Sequence, residues 1–386
     1  MSKIIPTLSK MWLKIINLEN LLFPQLEEKL GILTSKEEKL IKILDFAEIE
    51  KNICTTSKTN PPRDREQIAR AFIAKSVYNF QTTRDLIDRL HVDKTLRILC
   101  GWRHSNNIPS ESKFSRAFKE LSDLKIAEKT HEQFVKEYLS EKVFFYNATD
   151  ATKIPLREKA VKKEKIKKVK YKAGRPKKGE TREPIKPTIL KQQQEMQTVK
   201  EMLSLVSRDC GVGIKQSSKG NREVWIGGSL HISAVDGDIP ITAFYSGANV
   251  HDSSVALPLI QETSKRVNYM YDLQDAGYDA DIIREFSIKN NHRPIIDINP
   301  KNSKELKAKI ELREHEEIIF KSLHNRHLDM DREHYNQRSM VERVNKYLKD
   351  DFGCNKIYYQ GADKVASVLS FGVLSVCIHQ SLKILT

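Results

Sequence analysis

Cysteine is scarce in this chain of 386 residues, and none of it is arranged for chemistry. Cys54, Cys100, Cys210, Cys354 and Cys377 are odd in number, scattered, and never in a Cys-x-x-Cys pair. That excludes a disulfide framework and a zinc knuckle, and it fits a reducing compartment. The start of the chain lacks a basic region followed by a continuous apolar run and a small-residue cleavage site, so no signal peptide is expected. Long apolar runs are also missing. The nearest approach, Val365 to Leu385, carries His379, Gln380, Lys383 and recurrent serines, and reads as a buried terminal helix rather than a membrane span. No amphipathic basic helix with a broad apolar face accompanies it, which argues against a membrane-surface protein. Negative charge is in deficit: 51 Asp and Glu stand against 66 Lys and Arg, a formal +15. Such an excess points to a polyanionic partner, nucleic acid before anionic membrane.

What the chain does have is apolar material, 39% of its residues with all three aromatics, enough for a core shared among two or three domains. Residues 1–140 read as helical. Ser35 and Glu38 form a capping-box pattern ahead of Leu40, Ile41, Ile43, Leu44 and Phe46, which recur at helical spacing. Further helices are expected over Arg65–Asn79, from Thr82 or Thr83 onward with Leu86, Ile87 and Leu90 inward, and over Asp93–Cys100. Another covers Glu111–Leu121 and exposes Lys113, Arg116 and Lys119. The connection from Gly101 to Ser110 is longer than the tight turn of a helix-turn-helix, so a DNA-reading helix and a plain bundle both fit.

From Lys142 the pattern turns to β. Val143–Thr149 is short and aromatic and ends in Asp150. A helix is expected over Leu190–Val206 and a turn-rich stretch over Gly211–Gly220. A hairpin follows, in which Val224–Val235 runs into the Asp236-Gly237 turn and Ile239–Tyr245 returns. Then come a helix from Ser253 to Lys265, the strand Val267–Gln274, a helix from Asp279 to Lys289, the strand Arg293–Ile298 and a charged helical stretch from Ser303 to Leu323. Asp275 leaves its strand into a Gly turn, at the sheet edge where open α/β sheets commonly hold ligands. His231 and Asp252 are tempting metal ligands, but a single histidine within an apolar strand reads first as a core residue.

Positive charge is concentrated. Residues 153–178 hold thirteen Lys or Arg against Glu158 and Glu164, a net +11. The segment reads first as a solvated loop that binds phosphates without sequence preference. Within it, Gly174-Arg175-Pro176-Lys177-Lys178 resembles an AT-hook core, a flat unit that can lie in a narrow A·T minor groove. Arg175, Lys177 and Lys178 are therefore candidate DNA contacts.

The stretch Tyr335–Lys349 is the most informative. As one helix, its Tyr335, Arg338, Glu342 and Lys349 fall within an arc of about 60°. Met340, Val341, Val344, Tyr347 and Leu348 lie on the opposite, core-facing side. A carboxylate flanked on its own face by two cations and a phenol suits a metal ion beside a phosphodiester.

In residue type and spacing these four positions match the Y-(2)-R-(3)-E-(6)-K signature, and the chain thereby resembles insertion-sequence transposases of the DDE class. Further stretches carry the likeness: "RAFIAKSVYNFQTTRDLIDRL" and "IPSESKFSRAF" in the helical region, and Asp150-Ala151-Thr152 as a D-[AS]-T pattern. The run from Ser217 to Ser254, with its Val250-His251-Asp252 turn, and the D-x-G-Y motif Asp275-Ala276-Gly277-Tyr278 complete it. Gly227-Gly228-Ser229 departs from the Gly-Tyr-Lys often found at that place.

The resemblance implies an α/β fold, an RNase H-like mixed sheet flanked by helices and preceded by an all-α N-terminal domain. Residues 1–140 would bind DNA ends, and 141–386 would form the catalytic domain with a basic insertion at about 153–222. The activity implied is transposition: metal-dependent endonuclease cleavage at the element ends, then strand transfer into target DNA. Two Mg²⁺ ions, with Mn²⁺ as a substitute, would be bridged by Asp150 and held singly by Asp275 and Glu342. Hard divalent ions prefer carboxylate oxygens, so an Asp-Asp-Glu set needs no Cys or His. Arg338 and Lys349 would clamp phosphates, and Tyr335 would contact DNA near the cleaved end. The implied partners are double-stranded DNA, both terminal repeats and target, and a second copy of the chain in a synaptic homodimer, in the cytoplasm on the nucleoid. Two alternatives stand beside this reading: an RNase H-like DNA nuclease without strand transfer, and a non-catalytic DNA-binding repressor on a transposase scaffold.

Overall fold

Side-chain caps open several of the N-terminal helices. In the computed structural model, which describes residues 4–53, 63–162, 187–216, 221–299, 303–305, 307–312 and 330–384, these are α1 (Ile4–Asn17), α2 (Phe23–Leu30), α3 (Ser35–Ala47) and α4 (Arg65–Val77). They continue with α5 (Thr83–Val92), α6 (Lys94–Cys100), α7 (Glu111–Asp123) and α8 (Ile126–Tyr138). The capping box of α3 sits one residue earlier than the Ser35/Glu38 pattern. Thr34 has extended backbone and its hydroxyl accepts from the Glu37 N–H, while Glu37 accepts from the Thr34 N–H; Ser35 is already helical. Thr82 and Asp85 cap α5 in the same way, and Asp93 caps α6.

The chain then runs through β1 (Val143–Pro155), α9 (Ile189–Gln194), α10 (Val199–Ser204), β2 (Gly211–Gln216), β3 (Arg222–Val235) and β4 (Ile239–Gly247). Beyond these come α11 (Ala256–Arg266), β5 (Asn268–Gln274), α12 (Asp281–Lys289), β6 (Arg293–Ile296), α13 (Met330–Asn336), α14 (Ser339–Asp350) and α15 (Ala362–Lys383). Among the described residues the sheet has six strands in the order β2-β3-β1-β5-β6, with β4 paired on β3. β1 is antiparallel to β3 and parallel to β5, and β5 is parallel to β6. This is the mixed α/β architecture expected, with a helical region ahead of it.

Three local expectations are corrected. β1 does not stop at Asp150 but continues to Pro155, because β3 runs antiparallel beside it from Asn147↔Val235 to Pro155↔Gly227. Asp150 therefore lies inside a strand. Residues 211–216 form strand β2 instead of turns; Gly213 leaves room for the Trp225 ring of β3, which an added Cβ would meet at 2.3 Å. The helix expected over 190–206 is two short ones, because Thr198 leaves the helical conformation to cap α10. The basic residues Arg175, Lys177 and Lys178 lie outside the described residues.

The innermost helix is α15. It packs against α3, α4, α7 and α8 on the N-terminal side and against β4 and α14 on the other. Phe371 meets Phe72 of α4 with ring centroids 5.7 Å apart. Its most apolar 18-residue window is long enough to cross a membrane, yet 83% of that window is buried inside the protein. Its serines are accommodated locally: Ser375 donates to the Phe371 carbonyl and Ser381 to the Cys377 carbonyl, both at 2.8 Å. One contiguous core thus joins the helical region to the sheet.

Candidate active site

The parallel pairing of β1 and β5 ends at Thr149↔Gln274. Asp150 and Asp275 are the next residues on these neighbouring strands, about one strand spacing (~4.8 Å) apart in backbone. Asp275 exits β5 and accepts the Gly277 N–H at 2.9 Å, which fixes the turn Ala276–Tyr278. Asp150 is held from above by α14: Asn345 Nδ2 donates to its Oδ2 at 3.0 Å. Burial raises the Asp150 carboxyl to about 6, with Arg338 opposing the shift and Asp275 adding to it.

The Tyr335–Lys349 stretch is not one helix. Residues 337 and 338 form a turn between α13 and α14, held by i to i+3 bonds from the Arg338 N–H to Tyr335 and from the Met340 N–H to Gln337. The break follows from two separate anchors. In α13, His334 stacks on Tyr271 at 4.3 Å and its Nδ1 is 2.7 Å from the Tyr146 hydroxyl. In α14, Arg343 grips both carboxylate oxygens of Asp238, in the β3–β4 turn, at 2.7 to 3.0 Å. The four residues are therefore spread across a turn and not along one helix. Arg338 heads α14 and pairs with Glu342 at 2.5 Å. The Tyr335 ring lies 5.8 Å from the Arg338 guanidinium, and burial pushes its phenol up to about 12. Burial works against the Arg338 charge, but Tyr335, Asp150, Glu342 and Asp275 together raise its pKa.

Lys349, at the far end of α14, is lowered by burial and by Lys153, while Asp150 holds its charge. Lys153, the first residue of the basic segment, and Lys215, which the sequence did not single out, stand with it. The charge of Lys215 acts on Asp150 as well as on Lys349, so cations flank the acids on one side. Asn345 was likewise not legible; only its place one turn after Glu342 hints at a role. Tyr278 is fully buried, its hydroxyl has no hydrogen-bond partner among the described residues, and the charges of Asp252, Asp150, Asp275 and Arg338 all fall on it.

Among the described residues, no three Asp, Glu, His or Cys side chains stand close enough to grasp a metal ion as they are placed. Glu342, which is exposed, is turned toward Arg338. The donor chemistry nevertheless fits a hard divalent cation. Carboxylates at adjoining strand positions, a carboxyl that burial and a like charge drive toward protonation, and the orphaned buried atoms Asn345 Oδ1 and Tyr278 Oη all mark a place short of positive charge and of partners.

Asp150 and Asp275 thus stand at adjoining strand positions of a mixed sheet, beneath the helix that carries Arg338 at its head and Lys349 at its far end. The family profile of the transposase DDE domain matches residues 147–378, and that of the transposase domain (DUF772) matches residues 24–120. The chain belongs to the transposase DDE domain family, whose members are metal-dependent enzymes that cut and move DNA. It has the RNase H-like fold of that family, acts as an insertion-sequence transposase, binds DNA and uses divalent metal ions. No curated protein matches the chain.

Proposed function

We propose that Asp150, Asp275 and Glu342 are the acids of this transposase and that together they hold two Mg²⁺ ions, or Mn²⁺ in their place. The observation that carries the reading is the shared position of Asp150 and Asp275 past Thr149↔Gln274, under the helix that bears Glu342. Bound there, the ions supply an activated nucleophile and stabilise charge on attacking and leaving oxygens. The chain's own residues do the positioning. Arg338 and Lys349 face the phosphate on either side of the acids, and Tyr335 packs on Arg338 where the cleaved end would lie. For Glu342 to join the other two acids, its pairing with Arg338 must open, and an incoming phosphate is the natural competitor for that guanidinium.

The proposed reaction is nicking at the terminal repeats of the element, followed by attack of the freed 3′-OH on target DNA. Residues 1–140 serve as the end-binding region, a reading supported by the transposase-domain match over 24–120, and 141–386 as the catalytic one. The basic segment after Asp150, with Arg175, Lys177 and Lys178, adds backbone affinity for double-stranded DNA. Two copies acting as a dimer hold both ends, and the work is done in the cytoplasm on nucleoid DNA. The test is to incubate the protein with its flanking DNA and Mg²⁺ and to map nicks and joined products. Nicks at the element ends with joining are expected. Cutting without joining would leave a nuclease, and binding without cutting would leave a repressor.

A further inference from the structure

A second group of polar atoms adjoins these acids from the β4 side. Asp252 opens the turn Asp252–Val255, which packs against the turn Ala276–Tyr278 that Asp275 begins. Its side chain is 45% exposed, and Oδ1 lies 3.8 Å from Nδ1 of the fully buried His231; the charge of Asp275 acts on it. The imidazole is anchored on one side, its Nε2 lying 2.8 Å from the Ser246 hydroxyl. Its other nitrogen, Nδ1, is one of the buried atoms without a hydrogen-bond partner among the described residues. Burial, which depresses the imidazole to about 3, keeps it neutral.

At 3.8 Å the carboxylate and the imidazole nitrogen face each other beyond hydrogen-bond reach. Near them lies the Tyr278 hydroxyl, buried and without a partner among the described residues, on which Asp252, Asp150 and Asp275 all act. Helix capping does not account for Asp252, since the cap of its turn is His251, whose Nδ1 accepts the Ser253 N–H. Such a set is satisfied by a cation and its hydration water, and by little else.

We infer that Asp252 is a fourth carboxylate of the cation site, with His231 Nδ1 and the Tyr278 hydroxyl lining the same place. This rests on the reading of Asp150 and Asp275 as cation-holding residues. His231 and Tyr278 act as positioning residues that receive hydration water.

The experiment is Mn²⁺ titration of the full-length protein without DNA, by calorimetry and by the rise in melting temperature. Asp252→Asn is expected to weaken Mn²⁺ binding by about tenfold or more. Its metal-free melting temperature should be unchanged or higher, because a like charge is removed. Tyr278→Phe should weaken Mn²⁺ binding less. Affinity indistinguishable from the unaltered protein in Asp252→Asn, alongside loss of binding in Asp150→Asn, would overturn the inference and leave the underlying reading intact. Unchanged affinity in both Asp150→Asn and Asp275→Asn would instead remove the underlying reading. Should Asp252→Asn fail to fold, Asp252→Glu keeps the charge but displaces it; weaker Mn²⁺ binding supports the assignment, and unchanged binding overturns it.

Discussion

Asn345 donates a hydrogen bond of 3.0 Å to Asp150, a polar tie between the sheet and α14, whose Met340, Val341, Val344 and Leu348 are buried against the core. Glu342 lies one helical turn before Asn345, so the bond couples the strand that carries one acid to the helix that carries another. Asn345→Ala is expected to slow single-turnover cleavage by roughly 10–100-fold while DNA affinity in a mobility-shift assay stays unchanged. A parallel loss of DNA affinity would mean that Asn345 acts on binding and not on the acids.

The three acids themselves should behave alike. Asp150→Asn, Asp275→Asn and Glu342→Gln keep size and hydrogen bonding while removing the charge a divalent ion requires. Cleavage of an end-bearing duplex should fall to background in each, with DNA binding retained. Normal cleavage in any one of them would remove that residue from the mechanism.

A buried carboxylate below the site gives a pH prediction. Asp272 is fully buried on β5, accepts from Asn147 at 3.0 Å, from Ser287 at 3.0 Å and from Gln274 at 3.3 Å, and is raised by burial from 3.8 to about 6. The folded state thus holds the proton more tightly than the unfolded one. Stability from this group is complete below pH 4 and is lost as pH rises to about 6, by on the order of 3 kcal/mol. Asp272→Asn has no proton to lose, so its unfolding free energy should change less between pH 4 and pH 7 by about that amount, read from urea curves at each pH.

Salt dependence tests the basic segment. Each phosphate neutralised steepens the fall of log affinity with log salt by about 0.9. Replacing the lysines of 153–178 by glutamine should flatten that slope on any duplex. An unchanged slope would place the phosphate contacts elsewhere.

The shared core can be probed at one ring. Phe371 of α15 packs at a tilt against Phe72 of α4 and is almost fully buried. Phe371→Ala should cost about 3–5 kcal/mol. Loss of the helical region and the sheet in a single transition, followed by calorimetry, is the expected behaviour; two separated transitions would contradict a common core.

Where local chemistry decided the outcome, the sequence could be read. The Asp236-Gly237 turn, the aromatic start of β1 and the Asp275-x-Gly exit are set by neighbours in the chain, and each stands where expected. The turn at Gln337 and Arg338 could not be read, because no Pro or Gly marks it; His334 stacked on Tyr271 and Arg343 bound to Asp238 anchor the helices on its two sides. The length of β1 past Asp150 likewise belongs to its partner β3. Asp252 and His231 stand far apart in the chain, and only the fold brings their side chains to 3.8 Å. Tyr278 was inside a quoted motif, and its orphaned hydroxyl appears only once it is buried.

Because α15 is synthesised after every element it supports, a ribosome that has released only the first 361 residues has made helices with no innermost partner. Early termination would then yield no independent DNA-binding fragment able to occupy element ends and block the intact protein. Loss of the final helix through mutation should behave as a simple recessive defect.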